Sequence, residues 1–199
     1  MNRATCLMAV VYLFACIPAR AGDWRWSALA SLGASSGDLK DTAGGGPGLG
    51  LGVTAERPVR GEDRLRVRLD GLFLPAAHRT GTGTTAGVDW TRRLDTRVQG
   101  WSLGAEYLFD QPFGLRRLSA GGGLAAVRWT VDATSTLDLP GAGTVVEASR
   151  PSWTKLGAAL VADCRLTGHL RATARLLSCP YGWEGERVNV AHLGLAWTF

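Results

Sequence analysis

Three histidines, His78, His169 and His192, stand out first, because imidazole binds metals and moves protons near neutral pH. They are widely spaced, and no His/Cys/Asp/Glu run has the separation of a metal-binding motif. No metal and no cofactor is expected. His192 is followed by Leu193 and Gly194, so no hydroxyl nucleophile stands beside it, and no catalytic residue is assigned. Gly44-Gly45-Gly46 lacks the Lys-Ser/Thr pair and the following helix of a phosphate loop. The densest ionisable group is Arg64, Arg66, Arg68 and Asp70, at every second position. On an extended chain these side chains share one face. Glu106, Lys155, Asp163, Arg171 and Arg175 fall on the polar faces of other alternating stretches. The nine are the candidate site residues. Their chemistry is that of ion pairs, and Glu56 and Arg165 belong to the same faces.

What must position them is a set of strands. Period-2 alternation dominates, and no 3.6-residue stripe lasts three turns. Leu65, Val67, Leu69 and Phe73 lie opposite the arginines, and Trp101, Leu103, Ala105, Tyr107 and Phe109 lie opposite Gly100, Ser102, Gly104 and Glu106. Eight strands are expected, near 24–35, 47–56, 64–74, 99–109, 116–131, 152–166, 169–177 and 188–199. The linkers alternate strictly: 36–46, 75–98, 132–151 and 178–187 are long, and those between them are short. In an up-and-down meander all long loops then share one end. Strand 116–131 changes apolar parity near Gly121-Gly122-Gly123, which suggests a bulge there.

Residues 1–21 carry Arg3, an apolar stretch from Cys6 to Ile17, and Ala19-Arg20-Ala21, the pattern of a cleaved export signal. A single domain over 22–199 is expected after it. Cleavage removes two arginines and no acid, taking the formal charge from +5 to +3, which is no nucleic-acid-binding imbalance. Past residue 21 no apolar run approaches the ~20 residues of a membrane helix. A spanning β-strand alternates and escapes that test. Cys164 and Cys179 lie about one full strand apart, beyond disulfide reach, so two free thiols are expected.

Alternation fits either a soluble barrel, lipocalin-like, or a membrane barrel with its faces reversed. Small residues on the polar face (Gly48, Gly50, Gly52, Gly100, Gly104, Gly157) suit a crowded interior. Aromatics gather near strand ends: Trp24, Trp26, Tyr107, Phe109, Trp197 and Phe199 at one, Phe73, Trp129 and Trp153 at the other. They read as two interfacial girdles. Turning strand 64–74 over would expose its arginines to lipid, on the order of 4–12 kcal/mol. The arginines therefore point inward or into water.

The last residues, His192-Leu193-Gly194-Leu195-Ala196-Trp197-Thr198-Phe199, carry the further signal. Gly194, Trp197 and Phe199 with the polar His192 resemble the C-terminal signal of bacterial outer-membrane β-barrel proteins. The stretch 156–171 is similar to the penultimate hairpin of OmpA-like eight-stranded barrels, with Leu166, Thr167 and Leu170 at the turn. The resemblance implies an all-β, eight-stranded antiparallel up-and-down transmembrane barrel in the cell outer membrane. It implies assembly by the barrel assembly machinery, which reads the last strand, and contact with outer-membrane lipid and lipopolysaccharide. Barrel deacylases of this class use a His-x-Ser pair, which His192-Leu193-Gly194 does not supply. The expected role is structural or surface-interactive, non-enzymatic and with a packed lumen, as eight strands leave little interior space. A small-ligand binder or narrow passage is the alternative, and no periplasmic domain is expected after the barrel.

Overall fold

A computed structural model describes residues 24–43, 46–85, 87–181 and 186–199. The expected export signal lies outside them. Ten antiparallel strands are described: β1 Arg25–Gly37, β2 Gly48–Arg60, β3 Asp63–Phe73, β4 Ala77–Thr85, β5 Val88–Asp110, β6 Leu118–Leu139, β7 Gly143–Ser149, β8 Ser152–Arg165, β9 Leu170–Tyr181 and β10 Glu186–Thr198. A six-residue helix, α1 (Asp38–Ala43), follows β1. Eight strands close a ring in the order β1-β2-β3-β5-β6-β8-β9-β10, with β10 pairing back onto β1. This is the expected eight-stranded antiparallel barrel.

The strands form where side chains of opposite character alternate, since the pleat sends neighbours to opposite faces. Arg66, Arg68 and Asp70 are buried inside, while Val67 and Leu69 face out. The outer face is apolar around the ring: Leu32, Leu49, Leu69, Leu103, Leu124, Leu160 and Leu193 are all exposed. Leu156, 73% exposed, would be a gross misplacement in water and suits acyl chains. At the short-turn end, β2 and β3 turn through Gly61, whose φ of 60° favours glycine. Gln111, also left-handed, leads into a 3₁₀ turn, Pro112–Gly114, before β6.

Four sequence expectations change. The linkers 75–98 and 132–151 are largely strand. β5 and β6 run 23 and 22 residues, about twice the 9–11 that span a bilayer. Their upper halves pair from Thr91↔Asp138 to Val98↔Val131, and β4 and β7 pair on their outer edges. The result is a four-stranded sheet, β4-β5-β6-β7, standing above the barrel at the long-loop end. Linker 36–46 contains α1, whose Leu39 and Ala43 are buried in the barrel mouth.

Strand β6 holds one register throughout, with no bulge. Its partners run unbroken from Leu118↔Cys164 to Thr130↔Ser152. Odd positions point in, including Val127, Trp129 and Val131. The glycines serve close approach instead: a Cβ on Gly121 would lie 1.8 Å from the Tyr107 carbonyl oxygen. Finally, Trp129 and Trp153 do not join an outer girdle. Trp129 is 1% exposed inside the barrel, and Trp153 packs against the same cluster. At the long-loop side the outer aromatic contact is instead Phe73 edge-on to Trp101, with centroids 5.8 Å apart.

Candidate functional site: the barrel lumen

The lumen divides along its axis because each inward strand changes character from turn end to loop end. On β3 the inward series is Arg64, Arg66, Arg68, Asp70 and then Leu72. The turn-side half is an ion-pair network. Glu56 accepts from Arg64 Nη1 at 2.8 Å, Arg66 Nε at 2.7 Å and Arg171 Nη1 at 2.7 Å. Arg66 also pairs with Asp163 and lies 3.5 Å from Glu106. Arg175 Nε lies 3.0 Å from Glu106 Oε1. Asp70 accepts from Arg68 Nε at 3.1 Å, Arg175 Nη1 at 3.1 Å and Ser102 Oγ at 2.7 Å. Arg64 completes the lower rim, with Asp110 at 3.4 Å and Ser119 Oγ at 2.6 Å.

Each charge is tolerable only because others meet it. An unpaired buried ion costs several kcal/mol, while a satisfied network holds its members in fixed geometry. Strands β2, β3, β5, β8 and β9 each contribute, so the network bolts opposite walls together.

The loop-side half is apolar. Leu72, Leu74, Val98, Ala125, Val127, Trp129, Val131, Leu177, Val188 and Val190 form one buried cluster, capped by Leu39 and Ala43 of α1. Thr96 Oγ1 donates to the Thr42 carbonyl at 2.6 Å and fastens the helix to β5. This layer was missed in the sequence. Its signal was present where alternation fails, as at Leu72-Phe73, where both faces are apolar.

Eight of the nine candidate residues meet in the network. Lys155, which pairs across β6 with Val127, stands half-buried above it and makes no ion pair among the described residues. Glu56 pairs with three arginines, more than any other acid among the described residues. Arg165 is exposed at the rim.

The histidines remain apart. His78 Nδ1 lies 2.5 Å from Asp95 on the exposed sheet. His169 stacks on Trp197, with Nδ1 3.1 Å from the Thr198 carbonyl. His192 is buried in the lumen, paired across strands with Arg175. No group of three or more potential metal ligands occurs among the described residues. Cys164 is exposed and Cys179 buried, and neither is in a disulfide. Gly194 faces the interior beside Ser31, while Trp197 and Phe199 face out. The Phe199 N–H donates to the Trp26 carbonyl at 3.0 Å and ties the last residue to β1.

A closed eight-stranded meander with an apolar belt, a filled lumen, short turns at one end and tall hairpins at the other has the fold of outer-membrane β-barrels. No protein-family model matches the chain, and no curated protein matches it in sequence. Among solved structures it is similar to the attachment invasion locus protein Ail of Yersinia pestis, with TM-score 0.53 at 12% identity. That match covers 88% of this chain and 97% of the other. The same Ail protein in complex with the heparin analogue sucrose octasulfate gives 0.54 at 13% identity and the same coverage. A major outer membrane protein from Thermus thermophilus gives 0.53 at 17% identity, covering 88% of this chain and 99% of the other. At these identities the likeness is one of fold.

Proposed function

We propose that this is a sealed outer-membrane barrel that works through its surface, with the sheet β4-β5-β6-β7 presented outside the cell to a partner. The observation carrying this is the two-layer filling of the lumen. Ion pairs span the turn-side half, and an apolar plug capped by α1 fills the other. Solute has no path through either, and no catalytic step is assigned.

The sheet also has two dissimilar faces. Trp90, Leu94, Leu137 and Val145 lie on the face continuous with the lumen wall, and threonines such as Thr80, Thr91, Thr134 and Thr136 lie on the other. Long loops on a rigid scaffold are the usual home of binding.

The remaining parts of the reading follow from the residues. Residues 1–21 serve as the export signal, and the barrel domain begins at Gly22. Gly194, Trp197 and Phe199 serve as the assembly signal. Outer-membrane lipid coats the apolar belt. The exposed Arg97, Arg128 and Arg187, on outward positions near the loop end, suit the phosphates of lipopolysaccharide.

Planar-bilayer recording tests the central claim: the purified barrel gives no conductance steps, and steady steps would favour the narrow-passage alternative. Surface proteolysis of intact cells should cut within 77–97 or 132–151 and spare the rest.

A further inference from the structure

The acids of the network crowd the turn side of the lumen. On the loop side of Glu106, Arg68 and Arg175 share the single carboxylate of Asp70. A guanidinium carries five N–H bonds. Arg68 spends only Nε on Asp70; its Nη1 and Nη2 have no acceptor among the described residues, although the side chain is 1% exposed. Arg175 Nη2 and Nδ1 of His192 on the next strand likewise have no hydrogen-bond partner among the described residues. Thr173 Oγ1, on β9 with Arg175, is also buried and has no partner among the described residues. Directly above lies the apolar layer. Buried donors in native proteins find partners, and while Arg175 has Glu106 as a second carboxylate at 3.0 Å, Arg68 has only its share of Asp70 among the described residues.

We propose that the lumen holds one small monatomic anion of the halide class against Arg68, at the boundary between the charged and apolar layers. The Nη1 and Nη2 groups of Arg68 are its principal donors, and Arg175 Nη2 and His192 supply the opposite side. A monatomic ion is inferred because the site offers donors beneath an apolar layer, which suits a bare charge better than an ion with polar groups on every side. The anion's role is to meet the Arg68 N–H groups that the lumen's carboxylates leave over. It needs the filled lumen and is independent of any partner of the outer sheet.

Crystals of the refolded barrel grown in sodium bromide test this directly. An anomalous peak within hydrogen-bond reach of Arg68 Nη1 or Nη2 is expected. Ordered water there, or bromide only at exposed arginines (an adventitious ion only), overturns the proposal. In solution, the melting temperature in chloride should exceed that in gluconate at equal ionic strength. At a hundredfold excess over Kd the shift should reach about 5–10 °C. The Arg68→Met variant should lose that difference; an unchanged difference in the variant overturns the assignment to Arg68. If Arg68→Met does not fold, the bromide crystal of the native chain decides alone. Conductance steps would sink the sealed-barrel reading without removing a bromide peak, so the two can fail separately.

Discussion

Arg175 Nε lies 3.0 Å from Glu106 Oε1, and both side chains are wholly shielded from solvent. They come from β9 and β5, so the contact spans the barrel interior rather than joining hydrogen-bonded neighbours. Such cross-lumen contacts explain why a barrel with glycine-rich walls does not flatten.

Truncating one partner should therefore cost far more than a surface ion pair. Glu106→Ala leaves Arg175 and Arg66 short of an acceptor, and a loss of about 3–5 kcal/mol is expected. Urea unfolding in detergent, followed by tryptophan fluorescence, measures it. A loss under about 1 kcal/mol, the range of exposed pairs, would mean that the pair is solvated and the lumen wet.

The belt makes an opposite prediction. Leu103 faces out near mid-strand on β5, and Leu103→Arg should destabilise the barrel by about 2–4 kcal/mol in a bilayer. Folding yield and unfolding midpoint in phospholipid vesicles are the readouts. An unaffected variant would place this face in water.

Tryptophans report the division between inside and outside. Brominated lipids should quench Trp101 and Trp197, which are about half exposed, and leave Trp129 unquenched. Variants retaining one tryptophan each separate the signals. Strong quenching of Trp129 would restore it to an outer girdle.

Glycine at 121 should prove less replaceable than its neighbour. A methyl at Gly121 meets the Tyr107 carbonyl at 1.8 Å, whereas one at Gly122 approaches the Ala159 carbonyl at 3.0 Å. Gly121→Ala should cost about 1–3 kcal/mol by forcing β5 and β6 apart, and Gly122→Ala less. Equal losses would argue against the observed β5–β6 approach.

Thiol labelling checks the last strands. With residues 1–21 removed, the folded chain in detergent should react with one equivalent of a maleimide, at Cys164, and with two when unfolded. Early reaction at Cys179 would mean that the apolar layer opens.

Much of this architecture was already written in the order of residues. Alternation at 64–70 and 101–109 set which side chains face out, because a strand's pleat has period two and a lipid-facing arginine is too costly. It also brought Arg64, Arg66, Arg68, Glu106, Asp163, Arg171 and Arg175 to one interior before any partner was known. Tertiary structure alone decided who meets whom. Arg66 finds Asp163 ninety-seven residues away because closure of the ring, and not local pattern, fixes that distance. Closure likewise turned Trp129 and Trp153 inward: beside them the outward positions are the polar ones, Arg128 and Thr130 on β6 and Ser152 and Thr154 on β8, so near the loop end the apolar face is the lumen face. The tall sheet was hidden for a related reason. Strands β4 and β7, with the upper halves of β5 and β6, stand beyond the eight-stranded ring, and strands rich in Gly and Thr look like loops until their backbones pair.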